Sequence, residues 1–219
     1  SLWVANEALR KKSNLYNFCK VLSKKKLYKK KENFNDLWKW SVRKPEVFWS
    51  EVWNFTKVKG IKGKKIIKKN KIFYKNIFFP DSKLNYAENL LSKRNNEIAL
   101  NFFSESGIKK NIKWNDLFKN VCKLSAYFNK IGLKEKERVA AYVPNTIEAV
   151  VSFLASSKNG LVWSSCSPDF GTDGVIDRFN QIKGEKLDGL FTDGGAFTTT
   201  SSGAFYQSVE SANEFDVLV

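Results

Sequence analysis

Histidine and methionine are both absent from the 219 residues. Without histidine, neither a Ser-His-Asp triad nor a histidine metal site can be built from this chain. Without methionine there is no initiator residue, and Ser1 comes first, so a processed, trimmed or partial chain is expected. The three cysteines, Cys19, Cys122 and Cys166, are odd in number, far apart and form no CxxC pair. That spacing excludes a zinc ribbon, argues against a disulfide framework and fits a reducing compartment. No run approaches the ~20 apolar residues of a membrane span, and the first thirty residues lack the apolar centre of a signal peptide. A cytoplasmic location with no membrane partner is therefore expected.

Arginine is scarce as well, at five of the 38 basic residues. Arginine reads guanine edges and grips phosphates with paired hydrogen bonds, so sequence-specific nucleic-acid recognition is not expected. The basic charge is concentrated early. Residues 1–80 carry 22 Lys or Arg against five acids, whereas residues 187–219 carry five acids and no base. Aromatics are abundant, with 18 Phe, seven Trp and seven Tyr, enough apolar area for a core.

Residues 33–55, NFNDLWKWSVRKPEVFWSEVWNF, predict two short helices. Asn35 or Asp36 can cap the first, and Pro45 suits the opening position of the second. Phe48, Trp49, Val52 and Trp53 then fall on one apolar face. Nine lysines alternate with apolar and aromatic residues between Lys57 and Asn76. That pattern predicts a lysine-rich hairpin, with a basic nucleic-acid-binding module through residues 57–75 as the alternative. In FFPDSKLNYAENLL, residues 78–91, a Pro-Asp turn leads into an amphipathic segment using Leu84, Ala87, Leu90 and Leu91, which predicts a domain boundary.

From there strands and helices alternate. Strands are expected at 98–103 and 108–114 with Gly107 between them, then a helix capped by Asn115 with Leu117, Val121, Leu124, Phe128 and Ile131 on its apolar face, ended at Gly132. RVAAYV at 138–143 predicts a strand, Pro144-Asn145 a turn, Ile147, Val150, Val151 and Leu154 a helix ended at Gly160, and residues 161–164 another strand. Strand, helix and strand in this order imply a crossover and two parallel neighbours. The Pro144-Asn145 turn and a polar turn of Ser164, Ser165, Cys166, Ser167, Pro168 and Asp169 then share one sheet edge, where open α/β sheets bind ligands. A Ser-Pro-Asp turn that caps a helix without any ligand accounts for the same residues.

The segments LW at 2–3, SNLYNF at 13–18, LWKWSVRKPEVFWSEVWNF at 37–55, FFPDSKLNYAENLL, RVAAYVPNTIEAVVSFLAS at 138–156 and VWSSCSPDFGTDGVIDRFNQI at 162–182 stand in a specific order. In that order the chain resembles the acetoacetate-CoA ligase branch of the adenylate-forming, AMP-binding superfamily. The resemblance implies an α/β fold. A small helical Trp-rich cap of acetyl-CoA-synthetase type would occupy residues 1–80, and the start of a large AMP-binding domain with parallel βαβ units, left incomplete, residues 81–183. It implies small-molecule substrates in lipid or ketone-body metabolism: ATP and acetoacetate form an acyl-adenylate and pyrophosphate, CoA then displaces AMP, and Mg²⁺ offsets the triphosphate charge. It also implies that Trp163, Ser165, Cys166, Ser167 and Asp169 are candidate substrate or CoA contacts. Cys166 is expected to pack rather than attack, since that chemistry needs no enzyme thiol.

The superfamily's phosphate loop and catalytic lysine lie beyond the matching region, so no catalytic residue is assigned and the chain alone is expected to be inactive. TTTSSG at 198–203 imitates the loop's composition, but it comes too early and no lysine follows. Residues 184–219 stop matching and are expected to be a foreign or linker-like tail. A parallel sheet cut off after its first strands would leave an unpaired edge and tend to aggregate.

Overall fold

The computed structural model describes residues 4–29, 34–181, 190–192, 196–199 and 205–208. The chain divides into two compact units, residues 1–84 and 85–219.

The first unit opens with helices α1 (Glu7–Lys12), α2 (Asn14–Lys24), α3 (Phe34–Arg43) and α4 (Pro45–Phe55). Side-chain oxygens satisfy amides that have no intrahelical partner: Leu9 N–H donates to Asn6 Oδ1 at 2.8 Å and Tyr16 N–H to Ser13 Oγ at 3.1 Å. Pro45 opens α4, where its missing N–H leaves no bond unmade. Asn35 and Asp36, expected as caps, lie inside the first turn of α3 because the helix already begins at Phe34.

Phe18, Cys19, Leu22, Tyr28 and Leu37 are buried, and Trp40, Phe48, Val52 and Phe55 pack against them. The rings of Phe18 and Phe48 meet edge to face, with centroids 5.9 Å apart. The expected single aromatic face of α4 is divided. Phe48 and Val52 enter this core, while Trp49 meets Phe78 at 5.6 Å and Trp53 meets Phe79 at 4.9 Å.

The lysine-rich segment forms the hairpin the sequence predicts. Strands β1 (Ile67–Lys68) and β2 (Ile77–Phe78) pair antiparallel, Ile67 opposite Phe78, and a 3₁₀ turn at Phe73–Lys75 closes the tip. Its base continues into a bridge between Ile61 and Lys83, whose backbones exchange hydrogen bonds of 2.7 and 2.8 Å. Gly60 precedes that bridge at φ +146°, and a Cβ there would stand 2.5 Å from the Lys83 carbonyl oxygen. Only glycine fits that approach. The Lys62 ammonium donates to the Ser50 carbonyl, Ser50 Oγ and Asn54 Oδ1, tying the hairpin to α4.

The second unit starts with α5 (Tyr86–Leu90), in which Ala87 is buried, followed by buried Leu91. Leu84 and Leu90, expected beside them on one apolar face, are exposed: Leu84 precedes the helix, and a helix of five residues presents only one narrow stripe inward. Strands β3 (Ile98–Phe103) and β4 (Lys109–Lys113) form an antiparallel hairpin with Gly107 at φ +82° in its turn. Helix α6 (Trp114–Lys130) buries Leu117, Val121, Leu124 and Phe128, as its periodicity predicts. Its cap position is Lys113, not Asn115, whose side chain donates instead to Asn96 Oδ1 at 2.9 Å.

Next come β5 (Arg138–Tyr142), α7 (Ile147–Lys158), β6 (Val162–Cys166) and α8 (Thr172–Gln181). Strands β5 and β6 are parallel, with Val139 opposite Trp163 and Tyr142 opposite Cys166. Three short strands follow, β7 (Leu190–Thr192), β8 (Ala196–Thr199) and β9 (Phe205–Ser208), giving the sheet order β6-β5-β7-β8-β9. β7 runs parallel to β5, with Leu190 opposite Ala140, so β5 has a hydrogen-bonded neighbour on each side. The rest of the span expected to be a foreign or linker-like tail lies outside the described residues, as do residues 200–203 of TTTSSG.

The sheet's two faces carry different cores. Val139 and Trp163 turn toward the cluster built by Leu117, Val121, Phe128, Val151 and Leu154. Ala140 and Cys166 turn the other way, under Phe179 and Val175 of α8. Val139, Ala140 and Ala141 are each wholly buried, as befits a strand covered on both faces.

Candidate functional site

The candidate residues lie along β6 and the turn that follows it. The strand was expected to stop at Ser164, but it runs two residues further. The backbone pairing of Ala141 with Ser165 and of Tyr142 with Cys166 holds small polar residues in extended form against their turn propensity. At the same edge Val143 N–H donates to the Cys166 carbonyl at 3.1 Å. Thr146 then caps α7 by accepting from Ala149 N–H at 3.3 Å. The Pro144-Asn145 turn and the turn after Cys166 therefore do share one sheet edge.

Strand alternation separates the five candidates. Trp163 is half-buried and packs on the large core, and Ser165, two residues on, is exposed on that same face. Cys166 points the opposite way. It is 6% exposed between Ala140 and Phe179, and burial pushes its thiol up, against a smaller opposing pull from the Arg178 guanidinium. A thiol held protonated is a poor nucleophile, so Cys166 is a packing residue at this edge.

Ser167 and Asp169 meet in the turn. The Ser167 hydroxyl donates to Asp169 Oδ2 at 2.7 Å, and Phe170 N–H donates to the Ser167 carbonyl at 3.1 Å. One participant has no counterpart in the sequence reading. The Tyr142 hydroxyl at the end of β5 lies 2.9 Å from the Pro168 carbonyl oxygen and 3.0 Å from that of Phe170. Its single proton is shared between two acceptors and straps the turn to the neighbouring strand. A tyrosine ending a strand parallel to β6 was the available signal. Arg178 of α8 closes the far side, its guanidinium 4.8 Å from the Phe170 ring centroid.

The edge thus offers an exposed carboxylate, hydroxyls and an aromatic ring, groups that hold and orient a ligand rather than react with it. Among the described residues no cluster of His, Cys, Asp or Glu could hold a metal ion. Those residues do not fit Mg²⁺. No helix among them is long and apolar enough to cross a membrane.

Residues 88–183 match the AMP-binding enzyme family. The span covers β3 to α8 and includes the whole edge just described. The chain is similar to acetoacetyl-coenzyme A synthetase of Rhizobium meliloti (strain 1021), with 36% identity over 183 residues, 83% of this chain and 28% of that protein. It is similar to acetoacetyl-CoA synthetase of Xenopus tropicalis, with 41% identity over 157 residues, 69% of this chain and 23% of that protein. In structure it resembles acetoacetyl-CoA synthetase from Streptomyces lividans, with a TM-score of 0.77 and 28% identity, over 94% of this chain and 31% of that one. The chain therefore spans about a quarter of the length of the curated relatives it matches. The α/β, AMP-binding-type fold expected from the sequence is the one observed.

Proposed function

We propose that this chain is the part of an acetoacetate-CoA ligase that faces the acyl group and CoA. In this reading residues 1–80 form the Trp-rich cap and residues 81–183 begin the AMP-binding domain. The single observation that carries the proposal is the 36% identity over 183 residues with an acetoacetyl-coenzyme A synthetase.

A carboxylate resists attack by a thiol because its charge repels the nucleophile and oxide is a poor leaving group. In adenylation a carboxylate oxygen attacks the α-phosphorus of ATP and pyrophosphate departs, after which the CoA sulfur adds to the carbonyl and AMP leaves with that oxygen. ATP, acetoacetate and CoA are the implied substrates; Mg²⁺ would offset the triphosphate charge, held by groups other than the described residues. The contribution of this chain is to hold ligands at the β5–β6 edge. Trp163 forms an apolar wall, Ser165 and Ser167 supply hydroxyls, and Asp169 accepts hydrogen bonds from N–H or O–H groups. Cys166 stays in the packing beneath. A reducing, cytoplasmic setting accords with the three free thiols.

Two measurements test this. Amide NMR of the chain titrated with acetoacetate or CoA should shift residues 163–170 first, and shifts confined elsewhere would refute the site. Acetoacetate-dependent pyrophosphate release should be absent from the 219-residue chain alone, and turnover there would refute the reading that nucleotide chemistry is supplied by other residues.

A further inference from the structure

The tip of the β1–β2 hairpin is the most exposed apolar feature among the described residues. Phe73 is 86% and Tyr74 80% exposed, with Ile72, Ile77 and Phe78 also accessible. Apolar rings left in water ordinarily belong to loose loops, but this tip is held in place. Asn70 N–H donates to Asn76 Oδ1 at 2.7 Å, and Ile72 N–H donates to Asn70 Oδ1 at 2.9 Å. Lys75 N–H and Asn76 N–H close the 3₁₀ turn onto the carbonyls of Ile72 and Phe73. The two rings are thus displayed by an ordered turn, which lowers the entropy lost when they insert into a partner.

On both sides of them in the sequence runs a collar of charge of one sign. Residues 52–80 contain nine lysines and no acid. Lys62 is engaged by α4, but Lys64, Lys65, Lys68, Lys69, Lys71 and Lys75 have no ion-pair partner among the described residues. The partner must therefore be anionic over a wide area and accept apolar side chains at its centre. Two details separate the candidates. The wedge is aliphatic as well as aromatic, and Ile72 gains from hydrocarbon what it cannot gain from stacking on a base. The collar also contains no arginine, the side chain that pairs with phosphate bidentately and stacks on bases.

We propose that this tip docks on anionic lipid surfaces, with Ile72, Phe73 and Tyr74 entering the headgroup boundary and the lysines holding the surface potential. Such docking is peripheral and needs no spanning helix. It concerns a segment other than the candidate ligand edge, since the hairpin lies outside residues 163–170.

The test is co-sedimentation of the 219-residue chain with vesicles of phosphatidylcholine alone and of phosphatidylcholine mixed with phosphatidylserine. Binding should require phosphatidylserine and weaken steeply as salt rises. Replacing Lys68, Lys69, Lys71 and Lys75 by Gln should weaken it by about fivefold per lysine, several hundredfold together. A Phe73→Ser/Tyr74→Ser double variant keeps every charge and, with both side chains already in solvent, keeps the fold. It should lose at least roughly tenfold in affinity. Circular dichroism of both variants should match the parent. No binding to the mixed vesicles, equal binding to neutral ones, indifference to the aromatic substitutions, or tighter binding to single-stranded RNA than to the vesicles would each overturn the proposal.

Discussion

Replacing Tyr142 by Phe removes one oxygen and leaves the ring, so it isolates the strap that holds the turn after β6. The hydroxyl sits 2.9 Å from one carbonyl oxygen and 3.0 Å from another, but it has one proton, so the loss counts as one hydrogen bond. A typical intramolecular bond contributes ~0.5–1.5 kcal/mol net, and the half-exposed position allows water to take over part of the role. About 1 kcal/mol is a reasonable value, which corresponds to roughly a fivefold rise in the population of the open turn. Native-state hydrogen exchange reads that population directly. The Phe170 amide, bonded to the Ser167 carbonyl at 3.1 Å, should exchange about fivefold faster in Tyr142→Phe, with the amides of α6 nearly unchanged. Unchanged exchange at Phe170 would show that the strap is idle. Equal acceleration throughout the second unit would show instead that the oxygen supports the core.

Four further outcomes are expected. Phe128→Ala empties a site that is 1% exposed at the centre of the second unit's core and should destabilise by ~3–5 kcal/mol, measured by urea unfolding. Gly60→Ala forces a left-handed φ and a Cβ 2.5 Å from the Lys83 oxygen, so the Ile61–Lys83 bridge should break, visible as lost protection of the Ile61 amide; a protected amide would contradict the geometry. Cys166 should resist iodoacetamide at pH 8 far longer in the native chain than in urea, since burial both raises its thiol and shields it. Lys93 holds Glu97 below the usual carboxylate range by hydrogen bond and charge, with Asn95 assisting. The folded state therefore takes up that proton less readily than the unfolded chain. Its contribution is present above the ordinary carboxylate pKa and fades as pH falls through the folded value. Lys93→Gln should move the Glu97 titration upward by NMR, with little effect on unfolding because the pair is exposed.

The alternation of strands and helices from residue 98 to 181 was legible because apolar periodicity and glycine stops agree there: Leu117, Val121, Leu124 and Phe128 face inward, and Gly132 and Gly160 end their helices at positive φ. What misled was local chemistry overruled by distant partners. Ser164, Ser165 and Cys166 have the small polar character of a turn, yet pairing with β5 keeps them extended. Asn115 is a good cap by type, but Trp114 N–H bonds the Glu97 carbonyl and Asn115 N–H the Asn95 carbonyl, so the preceding hairpin sets where α6 begins. The division of the α4 aromatics depends on Phe78 and Phe79, more than twenty residues along the chain. Tyr142 was missed because its acceptors are backbone carbonyls 26 and 28 residues away, a contact that no composition or spacing encodes.

Both strands flanking β5 come after it in the chain, β6 at residues 162–166 and β7 at 190–192. A ribosome making this protein therefore finishes β5 before either of its flanks and must wait for residue 192 before the second flank can be sealed. At ~5–20 residues per second that delay is roughly 3 to 10 s, longer than hydrophobic collapse by many orders of magnitude. During that interval Val139, Ala140 and Ala141 are attached to a half-finished ladder, and any other nascent strand can zip onto it. Yield in cells should therefore respond to holdase chaperones and to translation speed between codons 142 and 192 more than to the stability of the finished molecule.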